Sequence, residues 1–263
     1  MTPVRTHLFV LSLLSLWSLP ATADTGAVLQ YDVRYGPFQI MEMRTTTRLD
    51  GDRYQASSDV RTVGLAGVLF PWWASSDSRG MRADGDLRPL RYHTAGEYRG
   101  LRRSAELDYA GGDLRVRIDP PPELDDRDPV PPTLQRDTID PISATLSAVL
   151  SGCRGQLRVF DGRRRYDLTL SDLGEADVPA SRNAFYSGKA RHCRADVQPL
   201  AGFWRSEPRQ DERPTHVDFW LAAPRPGFLT VPVYLELSAP RGTLAIHLSA
   251  VQPLRPADAA SGG

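Results

Sequence analysis

Short runs of alternating apolar and polar residues, each stopped by a glycine-bearing turn, restrict this chain to an antiparallel β architecture. Residues 27–36 show the pattern first: Leu29, Tyr31, Val33 and Tyr35 alternate with Gln30, Asp32 and Arg34, the period of two that a strand with one buried face requires. Gly36-Pro37 breaks the run. Residues 38–49 resume it through Thr45-Thr46-Thr47, and Asp50-Gly51-Asp52 turns the chain into a return strand over 54–63. Glycine supplies the positive φ of such a turn, so the pair reads as a hairpin. The same grammar recurs over 75–82, 87–98, 101–109 and 114–118, around Ala83-Asp84-Gly85-Asp86 and Ala110-Gly111-Gly112-Asp113. Turns this short leave no room for crossover helices, and a meander is expected.

One stretch departs from period two. Asp140 is placed to cap a helix, Pro141 fits its first position with φ already set, and Ile142, Leu146, Val149 and Leu150 form one apolar stripe. Gly152 ends it by taking the left-handed conformation cheaply. Three turns are marginal alone, so the stripe is expected to pack on the sheet. Strands follow over 156–160 and 163–173 around Asp161-Gly162, then over 183–197, 215–222, 229–237 and 243–251, with an apolar turn at 199–204.

The two ends read differently. Arg5, the apolar run of residues 8–19, Pro20 and the small residues Ala21 and Ala23 have the form of a secretory signal peptide, 1–23, cut before Asp24. The run is shorter than the roughly 20 residues of a permanent span, and no cysteine follows the cut to carry a lipid. The expectation is an exported chain without a transmembrane anchor, periplasmic or secreted, with a single β-rich envelope domain over 24–255 and a disordered tail over 256–263.

Charge and cysteine usage narrow the chemistry. Basic and acidic residues balance at 32 each, which argues against nucleic acid as a partner. Cys153 and Cys193 are the only cysteines, and export would place them in an oxidising compartment, so a disulfide between them is expected. A catalytic thiol is the alternative, without a CxxC pair or Cys/His signature to support it. His93, His192, His216 and His247 are far apart in sequence, no metal motif appears, and no metal or cofactor is expected. Residues 119–133 hold Asp125, Asp126 and Asp128 among many prolines; the segment lacks the glycine and glutamate of a calcium loop and reads as solvated. No serine elbow, Walker loop or dinucleotide fingerprint is present, so no catalytic residue is assigned.

The apolar segment 63–73 carries Leu65, Leu69, Phe70, Trp72 and Trp73, interrupted by two glycines and a proline. Such a segment is expected to be tucked into the core as a plug, with a ligand mouth or a membrane contact as alternatives. Together with Trp204 and Trp220 these residues are the candidate ligand or partner contacts. The wider aromatic set, including Tyr31, Tyr35, Phe38, Phe203 and Phe219, serves either a filled core or an acyl-chain pocket.

Five segments resemble an exported bacterial family catalogued as domain of unknown function 3108: Tyr31-Asp32-Val33-Arg34-Tyr35-Gly36, Gly64-Leu65-Ala66-Gly67-Val68-Leu69-Phe70-Pro71, Leu87-Arg88-Pro89-Leu90-Arg91-Tyr92, Ile139-Asp140-Pro141-Ile142-Ser143-Ala144 and Val159-Phe160-Asp161-Gly162. The resemblance implies a periplasmic antiparallel β protein and supplies no catalytic residues. The expected fold is therefore all-β, mainly antiparallel: a curled sheet or incomplete β-barrel packed around one short α-helix. The expected function is non-enzymatic, binding a lipid or acyl-chain ligand or an envelope protein; the alternatives are an assembly factor docking on an envelope complex and an envelope hydrolase.

Overall fold

A computed structural model describes residues 25–83, 85–98, 100–121, 124, 127–181, 183–203, 205, 214–239 and 242–254. The signal segment, the tail, Trp204, Asp125 and Asp126 lie outside these residues. Thirteen strands and three helices follow in order: β1 Thr25–Tyr35, β2 Phe38–Asp50, β3 Arg53–Thr62, α1 Gly64–Leu69, β4 Trp72–Ala83, β5 Asp86–Tyr98, β6 Leu101–Asp108, β7 Arg115–Asp119, α2 Pro132–Gln135, α3 Pro141–Leu150, β8 Gly155–Phe160, β9 Arg165–Asp177, β10 Lys189–Ala201, β11 His216–Ala222, β12 Val231–Ala239 and β13 Gly242–Pro253. The strands form one sheet in the order β7-β6-β5-β4-β3-β2-β1-β13-β12-β11-β10-β9-β8.

Every ladder in this sheet is antiparallel, and every neighbour but one is consecutive in the chain. The exception joins β1 to β13, from Ala27 opposite Pro253 to Tyr35 opposite Leu244. The opening therefore falls in mid-chain, between β7 and β8. The expected mainly antiparallel, curled and unclosed sheet is what forms.

Side chains and turn contacts bridge the opening in place of a ladder. The Arg163 guanidinium in the β8–β9 turn donates to the Ser104, Asp119 and Pro120 carbonyls at 3.1, 2.6 and 3.3 Å. A Cβ on Gly162 would stand 2.6 Å from the Ala105 Cβ, and one on Gly202 would overlap the Arg163 carbonyl oxygen, so glycine is what permits this close approach. Asp161 holds the turn by accepting from the Arg163 and Arg164 amides at 2.8 and 2.6 Å and from Arg164 Nε at 2.8 Å. Burial pushes its carboxyl up, but Arg164 and these amides outweigh burial and hold it below the ordinary value. The free edge of β8 is partly covered by Ile139, which bridges to Val159 in parallel.

Helix α3 lies against β3, β4, β5 and β8. Asp140 caps it, accepting from the Ser143 amide at 2.9 Å, and Gly152 leaves it at φ +62°, as the sequence predicts. Its packing differs from expectation. The residues fully buried are Ser143, Ala144 and Ala148, because only small side chains let a helix approach a sheet this closely. The apolar stripe lies beside this face and is only partly covered. The Cys153–Cys193 disulfide ties the helix exit to β10 with Cα atoms 5.7 Å apart.

Two further short helices, α1 and α2, were not expected. The strand predicted over 183–197 starts later, at Lys189, and runs on to Ala201, absorbing part of the expected apolar turn.

Candidate functional site

The inner faces of β2 and β3 are built from small and medium residues. Thr45 stands opposite Ser58 and Thr47 opposite Ala56; on β4, Ser76 and Ser78 continue the two rows. Over β4 this space is taken by α3, whose Ser143 and Asp140 reach Ser78. Over β1 and β2 no described residue takes it.

The result is a cavity of about 760 Å³, within the roughly 300–1,000 Å³ that ligand pockets usually span. One wall is Ala27, Leu29 and Tyr31 of β1 with Met43, Leu49 and Ala56. The facing wall is Leu221, Val231, Leu235 and Ile246 of β11–β13, and the α3 stripe of Ile142, Leu146, Val149 and Leu150 forms the third side. Thr45, Thr47 and Ser58 add hydroxyls to the first wall, and Arg191 is the single charged lining residue among the described residues. Tyr31 donates its phenol to the Pro232 carbonyl at 2.9 Å, and burial pushes that phenol far above its ordinary value. It is a fixed, neutral part of the wall.

The anchor of α3 is a buried polar knot. The Asp140 carboxylate accepts from Ser78 Oγ at 2.8 Å and from Ser143 Oγ at 2.5 Å, and Tyr54 OH lies 2.6 Å from Ser143 Oγ. Burial pushes the Asp140 carboxyl up against the pull of these hydrogen bonds, and it pushes the Tyr54 phenol up to about 12. Ser78, Asp140 and Ser143 have no exposed surface, so the knot fixes the helix and is closed to substrate.

A second polar assembly lies on the opposite face of the sheet. His192 stacks on Trp220 across β10–β11, and Trp220–Tyr234 and Tyr234–His247 continue the row as tilted contacts, with successive ring centroids 4.2, 5.0 and 4.7 Å apart. Asp218 accepts a forked pair from Arg194 at 2.9 Å each and lies 3.2 Å from His192 Nε2. Burial raises its carboxyl, but the Arg194 hydrogen bonds and charge win and lower it. Among the described residues no three His, Cys, Asp or Glu side chains are disposed to hold a metal ion.

The sequence-derived contact residues do not gather at the cavity. Leu65, Leu69 and Phe70 are 74, 59 and 65% exposed and Trp73 is 39% exposed, so the expected plug is instead the short helix α1 with its apolar side chains in solvent. The cause is local: Gly64 at φ +58° and Val63 bonded to the Ile40 carbonyl turn the chain onto the rim beside the start of β2. The cavity lies toward the β2–β3 turn, at the other end of these strands. Trp72 is half-buried, hydrogen-bonded through its backbone to Thr62. Trp220 is buried on the face away from the cavity, in a cluster with Val178 and Tyr186. Of the wider aromatic set, Tyr31 alone lines the cavity. The signal that would have found the site is the small-residue rows of β2 and β3, not the tryptophans.

The comparisons with known proteins bear on the whole sheet. A family model matches residues 30–249. The chain belongs to the family Protein of unknown function (DUF3108). The match takes in the cavity lining of this DUF3108 chain from Tyr31 to Ile246, leaving out Ala27 and Leu29, with α3 and both cysteines. No curated protein matches. Among solved structures it is similar to the beta-barrel-like protein of domain of unknown function DUF1849 from Brucella abortus, with 11% identity over 88% of this chain and 98% of that chain and a TM-score of 0.48. Among the described residues of the DUF3108 chain no helix is long and apolar enough to cross a membrane.

Proposed function

We propose that this chain is an exported cell-envelope protein that carries one apolar ligand in the space between α3 and the β1–β3 and β11–β13 walls, without chemistry of its own. The observation that supports it is the cavity, whose lining is mainly apolar with a few hydroxyls. Empty apolar space of this size forfeits dispersion contacts on every wall, and a ligand restores them. The signal segment at 1–23 and the disulfide fit the periplasm or the exterior. Native mass spectrometry of gently purified protein, with solvent extraction of the bound mass, tests the proposal. A bound mass lost on extraction and reduced in Thr45→Phe is expected; a protein that neither retains nor takes up an apolar ligand overturns it.

The assembly-factor reading has one observation in its favour, the exposed side chains of Leu65, Val68, Leu69 and Phe70 on α1. Leu69→Ser with Phe70→Ser should release crosslinked envelope partners and leave bound ligand unchanged. Loss of ligand with partners retained would reverse the assignment.

A further inference from the structure

Resting on the reading of the cavity as a ligand site, the charge at its rim specifies the kind of ligand. Among the described residues Arg191 is the single charged one in the lining and no carboxylate lines the wall. Its side chain is 51% exposed, whereas Leu221, paired with it on β11, is 4% exposed. Arg191 thus stands where the cavity meets solvent.

Its present partners hold it loosely. Arg191 Nη1 lies 3.5 Å from the Gly152 carbonyl and 3.8 Å from the Asp172 carboxylate, which Arg154 also approaches at 4.0 Å. A committed guanidinium–carboxylate bond closes to about 2.7–2.9 Å. Glu175, opposite Arg191 in the β9–β10 register, is paired with Lys189 at 3.8 Å. A guanidinium has five donors in a fork suited to a carboxylate or phosphate, and these long contacts leave donors for an incoming oxyanion. Volume sets the other half of the ligand. If a methylene takes roughly the space of a water molecule, about 30 Å³, one chain of about sixteen carbons fills some two thirds of the cavity and two overfill it.

We infer that the ligand is a single-chain amphiphile with an anionic head group, its chain against the α3 stripe and the β1–β3 wall and its head oxygens on Arg191. The carboxylate of a free fatty acid and the phosphate of a single-chain phospholipid share this chemistry. Titration of the disulfide-intact protein, below the micelle threshold, with dodecanoate, dodecyl phosphate, dodecanol and dodecyltrimethylammonium separates the cases. At least one anion should bind about tenfold or more tightly than dodecanol, with the ammonium weakest; a tenfold ratio corresponds to about 1.4 kcal/mol. Which anion leads identifies the source. Arg191→Gln should abolish the preference by weakening the favoured anion far more than dodecanol, and Arg191→Lys should keep part of it. Equal binding of all four, or a preference that survives in Arg191→Gln, overturns the head-group inference and leaves the carrier reading intact. Binding of none overturns both.

Discussion

Helix α3 meets different surroundings on its two sides. Toward β3–β5 and β8–β10 it is packed: Ala148 joins Cys153, Leu170, Cys193, Ala195 and Phe219 in one cluster, and Tyr92, Leu107, Val130 and Phe160 form another. Toward β1, β2 and β11–β13 the stripe of Ile142, Leu146 and Val149, each residue partly packed on a core cluster, also lines the cavity. Both sides are made of the same kind of strand. What separates them is side-chain size against available filler: small residues facing a helix give a dry contact, and small residues facing nothing give a pocket.

The largest expected effect comes from releasing the packed half. Cys153→Ser with Cys193→Ser opens a loop of 40 residues' separation, which the chain-entropy model values at about 4 kcal/mol. Thermal unfolding should then begin about ten degrees lower; an unchanged midpoint would mean that the disulfide does not hold α3 against the sheet. Asp161→Asn removes the charge that organises the seam turn and should cost about 2 kcal/mol at neutral pH. Because the folded carboxyl is held below its ordinary 3.8, that stabilisation is present above about pH 3.8 and is lost as pH falls through the folded value. Acid titration of the two proteins should therefore converge there.

Size substitutions probe the contrast itself. Ala148→Leu overfills the packed side and should cost about 1–3 kcal/mol, measured by denaturant unfolding. Thr45→Phe adds comparable bulk to the hollow side and should leave stability unchanged or raised. Equal penalties would show that the two halves are equally full.

The smallest effect concerns the outer side of the hollow half. His247 is 6% exposed with Nδ1 unpartnered, and burial, aided by Arg34, lowers its value from 6.5. The unfolded chain takes the proton first, so stability contributed by neutral His247 is lost as pH falls below about 6.5. His247→Phe should flatten that part of the pH–stability curve; a slope that persists would assign it to other groups.

The strands, their antiparallel order and the helix with its cap were legible because each rests on neighbours in the sequence: period two, a turn glycine, Asp140 before Pro141. The cysteine pair was legible from compartment and count. The pocket was not, because the sizes of Thr45, Ala56 and Ser58 acquire meaning only once register sets them in rows and α3 is seen to cover some and not others. The 63–73 segment misled for a related reason. Its composition asks for burial, but Val63 and Gly64 direct the chain along the rim, and backbone geometry prevails over side-chain preference.

The position of the β1–β13 ladder has a consequence for how the molecule is made. The arcs β1–β7 and β8–β13 can each zip from hairpin to hairpin, with low contact order, whereas joining Ala27 to Pro253 closes nearly the whole chain and carries the entropy of that closure. The pocket's two sheet walls stand on either side of this ladder. On contact order this ladder is expected to form last, and a chain whose arcs are complete but unjoined would have its disulfide but not the cavity.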